Sequence, residues 1–192
     1  MWWSRDDTAI YRTTRTLARV CPMLLAAALL AGCFQPLYGE RTVTGTPAMS
    51  EKLSTIEVIP IDLPNGSPEA RIGLELRNAL LFDLNGGAGP SNPAYRLKIN
   101  MAVSRQQVIV DVFTYRPDIE NLGIDASYSL VEIATGKVVL TGQTFARVSY
   151  DIPGQQQRFA RTRGMRDAEN RAAKTLAEQI RSRLASYFVA GA

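Results

Sequence analysis

Hydrophobic positions in this chain recur with two periods, and the switches between them mark out the elements. Tyr95, Leu97, Ile99, Met101 and Val103 alternate with Arg96, Lys98, Asn100 and Ala102, the pattern of a strand with one buried and one wet face. Leu122, Ile124, Ala126, Tyr128 and Leu130 repeat that period on a second strand. Ala134-Thr135-Gly136-Lys137 is a hairpin turn, and Val138 to Val148 is the return strand. Val108 to Phe113 is extended after the polar Ser104–Gln107, which predicts a strand that is bent or split before a turn at Tyr115-Arg116-Pro117-Asp118. Upstream, Ile56-Glu57-Val58-Ile59-Pro60-Ile61 reads as a short strand that lies at a sheet edge or ends at Pro60, which has no N–H for a ladder.

The helical period appears twice. Ile72, Leu76, Leu80 and Leu84 are spaced by four, behind a Ser67 N-cap, Pro68 at the first helical position and Glu69 at the positive dipole end. They predict a helix over 68–84, stopped by the glycines between Asn85 and Pro90. Asp151 to Gly154 breaks the sheet pattern. Ala168, Ala172, Leu176, Ile180, Leu184 and Phe188 then define a long helix from about 157 to 189. The order β-α-β-β-β-α predicts an α+β fold: a two-layer sandwich with a mostly antiparallel sheet of about four strands packed by two helices.

The first residues follow neither period. Arg5, Arg12, Arg15 and Arg19 precede Val20–Leu30, an uncharged apolar run long enough for a secretory signal and shorter than the ~20 residues that span a bilayer. Leu30-Ala31-Gly32-Cys33 then has the form of a lipobox. The small residues fit a peptidase site, and the thiol carries lipid. Because one acyl chain binds a membrane only marginally, the two or three chains that such a cysteine can carry convert weak association into stable anchoring. The expected organisation is a signal peptide over 1–32, a lipid-anchored, Pro/Gly-punctuated tether over 33–54 and a single domain over 55–192. Phe34, in place of Asp, after the cysteine favours the outer membrane.

Composition narrows the chemistry. Cleavage before Cys33 lowers the net charge from +4 to +2, too small a surplus to point to nucleic acid. The mature chain has no histidine and one cysteine, so it lacks a disulfide, the common nucleophile–base pairs and the Cys/His metal sites. Neither an enzyme nor a cofactor or metal protein is expected. Gly86-Gly87-Ala88-Gly89 follows a helix and lacks the Lys-Ser/Thr of a phosphate loop. Asp111, Asp118, Glu120, Asp125 and Glu132 are scattered singly and read as solvated. Two basic groups stand out. Arg158, Arg161, Arg163, Arg166 and Arg171 crowd the start of the last helix, where the dipole already favours anions, with Asp167 and Glu169 as partial offsets. Arg96, Lys98 and Arg105 are expected together on the wet side of the central strand. The seven residues Arg96, Lys98, Arg105, Arg158, Arg161, Arg163 and Arg166 are candidates for contact with an anionic partner.

The stretch Cys33-Phe34-Gln35-Pro36-Leu37-Tyr38-Gly39 resembles the opening of alphaproteobacterial LPS-assembly lipoproteins of the LptE type, usually Cys-Gly-Phe-Gln-Pro-Leu-Tyr-Gly; this chain lacks the Gly after Cys. Ala126-Ser127-Tyr128-Ser129-Leu130, Thr135-Gly136-Lys137, Ser149-Tyr150 and Arg166-Asp167-Ala168-Glu169-Asn170-Arg171-Ala172 follow in the same order as in that family. The resemblance implies an outer-membrane lipoprotein that sits largely within the lumen of the LptD β-barrel. Together the two insert lipopolysaccharide into the outer leaflet, and the basic groups would meet the phosphates of lipid A. It also implies an antiparallel sheet packed by two helices. An auxiliary lipid-transport lipoprotein that does not plug a barrel is the alternative.

Overall fold

Seven elements follow one another in the computed structural model, which describes residues 49–109, 117–152 and 158–190. They are α1 (Met49–Ser54), β1 (Ile56–Val58), α2 (Pro68–Asn85), β2 (Tyr95–Ile109), β3 (Pro117–Glu132), β4 (Val138–Asp151) and α3 (Arg158–Val189). The signal, the lipobox, the opening heptapeptide and the chain to residue 48 lie outside the described residues. So do the strand segment at 110–113, the first half of the turn at 115–118, whose Pro117 and Asp118 begin β3, and Pro153-Gly154.

Local chemistry sets the bounds of α2. The Ser67 side chain accepts the Ala70 N–H at 3.1 Å, and Pro68 begins the helix. At the other end Gly86 adopts φ +67°, where a side chain would be strained, and its N–H reaches the Phe82 carbonyl at 2.9 Å. Gly136, at φ +69°, closes the β3–β4 hairpin, whose Glu132 N–H meets the Lys137 carbonyl at 2.9 Å.

The sheet runs in the order β1-β2-β3-β4. β2, β3 and β4 form an antiparallel meander, whereas β1 pairs parallel with β2 from Ile56↔Tyr95 to Val58↔Leu97. The sheet is therefore mixed. α2 carries the chain back to the end where β1 began, so β2 starts in the same direction. β1 is the edge strand expected from Pro60 and stops two residues before it.

α2 and α3 pack side by side on one face of the sheet. The pleat sends odd residues of β2 and even residues of β3 to that face, where Leu97, Ile99, Leu122, Ile124, Ala126, Tyr128 and Leu130 are buried. They meet Ile72, Leu76, Leu80 and Leu84 of α2 and Ala168, Ala172, Leu176, Ile180, Leu184 and Phe188 of α3, in one core. Each fully buried Leu or Ile contributes about 1.5–3 kcal/mol, so the stripes read from spacing are the main source of cohesion. One stretch differs from expectation. The last residues of the tether segment, Met49–Ser54, form a helix with Leu53 in the core and Met49 packed against it. Met49 and Leu53 are one turn apart and find a groove between the ends of α2 and α3.

Candidate functional site

With both helices on one face, the other face of β2–β3–β4 is covered by no described element. Its rows, read across the strands, are Lys98–Ser129–Thr141, Asn100–Ser127–Gln143, Ala102–Asp125–Phe145 and Ser104–Gly123–Arg147. Small side chains line the middle strand, and two shallow depressions of about 440 Å³ each lie along it. One is bordered by Asn100, Ser129 and Thr141, the other by Ala102, Asp125 and Phe145. The Arg147 guanidinium sits 5.1 Å from the centre of the exposed Phe145 ring. This polar face, with one aromatic ring, can hydrogen-bond a partner over several strands.

The basic candidates separate. Arg96 and Lys98 lie on this open face; Arg96 pairs with Glu57 at 2.9 Å, and Lys98 has no ion pair with a described residue. Arg105 does not belong with them. Its odd number in β2 turns it to the helix side, where Nη1 meets Glu69 at 3.4 Å and Nη2 meets Glu169 at 3.2 Å. Glu169 is 1% exposed and is the centre of a network. Arg71 of α2 donates to it through Nε at 3.0 Å and also through Nη2. It reaches the Arg166 carbonyl as well, at 3.3 Å. The network thus ties α2, β2 and α3 together, and Arg105 is committed to it.

A second buried acid lies nearby. Glu120 is 4% exposed, accepts the Tyr150 hydroxyl at 2.6 Å and has Arg161 at 3.7 Å. Burial pushes the Tyr150 phenol up to about 12; the hydrogen bond to Glu120 and that residue's charge add to the shift, and Arg105 and Arg161 oppose it. Arg161 is thereby partly committed. Arg171 pairs with Asp167 at 2.7 Å and reaches the Ser149 carbonyl at 3.5 Å. Arg163 and Arg166 are exposed without an ion pair to a described residue, and Arg158 opens α3 with its side chain outside the described residues. The cluster read from sequence therefore holds both fold-stabilising and free cations.

Glu120 corrects the expectation that the scattered acids are solvated, and Glu169, read from sequence as a partial offset to the helix arginines, is buried as well. The signal was in the spacing. Glu120 continues the even series Leu122 to Leu130, and Glu169 lies one turn before the buried Ala173, in line with Ala177. Carboxylates at apolar-face positions signal a buried pair, and arginines on facing elements supply it. Among the described residues no group of three His, Cys, Asp or Glu is placed to hold a metal.

Among curated proteins, none matches the sequence. Among solved structures, the fold is similar to a protein classed as a lipoprotein from Caulobacter crescentus CB15. The TM-score is 0.58 at 24% identity, over 75% of this chain and 97% of that one. It is also similar to an uncharacterized lipoprotein B from Nitrosomonas europaea, with TM-score 0.50 and 15% identity over 72% and 90%. These likenesses bear on the fold. The family model for lipopolysaccharide assembly, LptE, matches residues 53–184, from the end of α1 into the last turns of α3. It takes in all four strands, the whole of α2 and the Glu169 network, and so the chain belongs to the LptE family of lipopolysaccharide-assembly proteins.

Proposed function

We propose that this protein is an outer-membrane lipoprotein, acylated at Cys33, that associates with an LptD-type β-barrel and helps insert lipopolysaccharide into the outer leaflet. The family match over residues 53–184 carries the proposal. The uncovered face supports it physically. The lumen of a large outer-membrane barrel is polar, and the open rows of Ser, Thr, Asn and Gln suit such a wall better than lipid does. No residue is assigned a catalytic step. Of the candidate cations whose side chains are described, Lys98, Arg163 and Arg166 are exposed without an ion pair to a described residue and are proposed to meet lipid A phosphates or acidic barrel residues through charge-assisted hydrogen bonds.

The test is affinity purification of the tagged full-length protein from detergent-solubilised membranes, with partners identified by mass spectrometry. A large β-barrel protein should co-purify, and the mature N-terminus should be a lipid-modified Cys33. Recovery of the lipoprotein without any barrel would refute the association, and an unmodified N-terminus would refute the anchor.

A further inference from the structure

The sheet has two edges, and the fold treats them differently. The direction of each backbone group follows from the ladder. The Tyr95 N–H reaches the Thr55 carbonyl at 3.4 Å and the Ile59 N–H the Leu97 carbonyl at 3.3 Å, so odd residues of β2 bond toward β1. Successive residues of a strand turn their N–H and C=O to opposite sides. Even residues of β2 therefore bond to odd residues of β3, and even residues of β3 to even residues of β4. The register that carries this across is unbroken from Leu130↔Leu140 to Ile119↔Asp151. The odd residues of β4, among them Thr141, Gln143, Phe145, Arg147 and Ser149, thus aim N–H and C=O away from the sheet. The Ser149 carbonyl agrees, since Arg171 of α3 reaches it from outside the ladder at 3.5 Å.

At the β1 edge the outward groups are few and already used. β1 has three residues, and Pro60 follows shortly. The Val58 carbonyl accepts from Arg77 at 3.2 Å and the Ile56 carbonyl from Asn85 at 3.3 Å, so side chains of α2 close this edge. The β4 edge lacks the devices that keep strand edges from pairing, which are lysine, proline, a bulge or a covering element. From Leu140 to Tyr150 it has no proline, no lysine, no shift of register and a single charged residue, Arg147. No described strand lies beyond it.

We infer that β4 receives an extended segment of a partner polypeptide as a fifth strand. A row of outward N–H and C=O groups is matched by the backbone of another strand, and alternate side chains then supply the choice of partner. The position of α3 argues against a second copy of this chain. On the sheet α3 packs chiefly against β4, where the Thr144 hydroxyl donates to Gln179. Two copies joined edge to edge would bring both α3 helices to one face, beneath strands about 4.8 Å apart. Packed helices need about 8–10 Å between axes, so the two would collide. A strand with no helix behind it fits. Charge adds a preference. Arg147 on the open face and Arg171 on the helix side border the same end of the edge, and there the incoming segment is acidic or neutral, because like charges on paired strands repel.

Amide hydrogen exchange, resolved residue by residue with electron-transfer fragmentation, reads these groups directly. The tagged full-length protein is recovered from its own membranes in mild detergent, with whatever it holds, and compared with the same protein purified alone in that detergent. Alone, the amides of Gln143, Phe145 and Arg147 should exchange much faster than those of Gly142, Thr144 and Ala146. In the membrane-derived sample the odd amides should slow at least about ten-fold, and the alternation should disappear. Gln143→Pro removes one outward N–H and none from the β3–β4 ladder, a placement that edge strands accept. It should lose the slowing at Phe145 and Arg147, whereas Gln143→Ala should keep it; if the proline variant does not fold, the comparison of the two wild-type samples still decides. Odd amides that stay fast in the membrane-derived sample overturn the inference, even if a β-barrel protein co-purifies. Odd amides already slow in the protein alone overturn it too, because the chain or a second copy then covers the edge. Slowing that survives Gln143→Pro indicates shielding without strand pairing and has the same consequence. Slowing that the proline removes, with no barrel recovered, upholds the added strand and refutes only the barrel association proposed above.

Discussion

Removing the Glu169 carboxylate should be among the most damaging single changes in the domain. Glu169→Ala leaves the guanidiniums of Arg71 and Arg105 facing each other across the seam between α2, β2 and α3. Breaking a buried pair costs about 3–5 kcal/mol, because the remaining charge is uncompensated. Here the two arginines are 35% and 28% exposed and regain some water, so the low end, about 3 kcal/mol, is expected. For a domain of this size that is roughly a 10 °C fall in Tm. Urea unfolding of the chain from Met49 onward gives the free energy directly. Glu69→Ala is the control. Glu69 meets Arg105 at 3.4 Å but is itself partly exposed, and such a pair is worth about 0–1 kcal/mol. A triple change, Arg71→Met, Arg105→Met and Glu169→Leu, removes the charges together and should be far less harmful than Glu169→Ala, as replaced buried ion networks often are. If Glu169→Ala costs no more than Glu69→Ala, the acid is not held in the buried network and the reasoning fails.

Three further outcomes are expected. Leu176→Ala should cost about 2–5 kcal/mol, since Leu176 is fully buried, while exposed Lys174→Ala stays within about 0.5 kcal/mol in the same unfolding assay. Gly142→Ala would set a Cβ 2.4 Å from Cζ and Oη of the buried Tyr128 ring, so calorimetry should show a loss of about 1–3 kcal/mol from overpacking. Tyr150 ionises later in the folded than in the unfolded chain, so its contribution is complete below pH ~10 and is lost as pH rises from there toward about 12. Tyr150→Phe should therefore show a shallower loss of stability across that window, and phenolate absorbance of the folded wild type should show a late-titrating tyrosine that this variant lacks.

The residues of the outer sheet face were legible as wet positions, because alternation is a local property: Arg96, Lys98 and Asn100 fall opposite Leu97 and Ile99 whatever the strand packs against. The same rule assigns Arg105 to the helix side, but only if β2 stays regular through Ser104–Gln107, where the polar run suggested a bend. The structure keeps it in register with β3 there, from Ser104↔Gly123 to Gln107↔Glu120. Arg105 and Glu120 both depend on that continuity.

What the sequence determined alone is the set of faces and stops. Four-residue spacing placed the buried stripes of α2 and α3, Ser67, Pro68 and Gly86 bounded α2, and Gly136 turned the hairpin, all through interactions within a few residues of one another. Tertiary structure decided what depends on distant neighbours. α1 is a helix because a groove between α2 and α3 accepts Met49 and Leu53; a six-residue helix has too few internal hydrogen bonds to stand alone. β1 is parallel to β2 because α2 spans the sheet between them. Glu169 is buried rather than solvated because Arg71 and Arg105, 98 and 64 residues away in sequence, converge on it. A carboxylate tolerates burial only where charge-assisted hydrogen bonds replace water, and those partners exist only once the helices and sheet have come together.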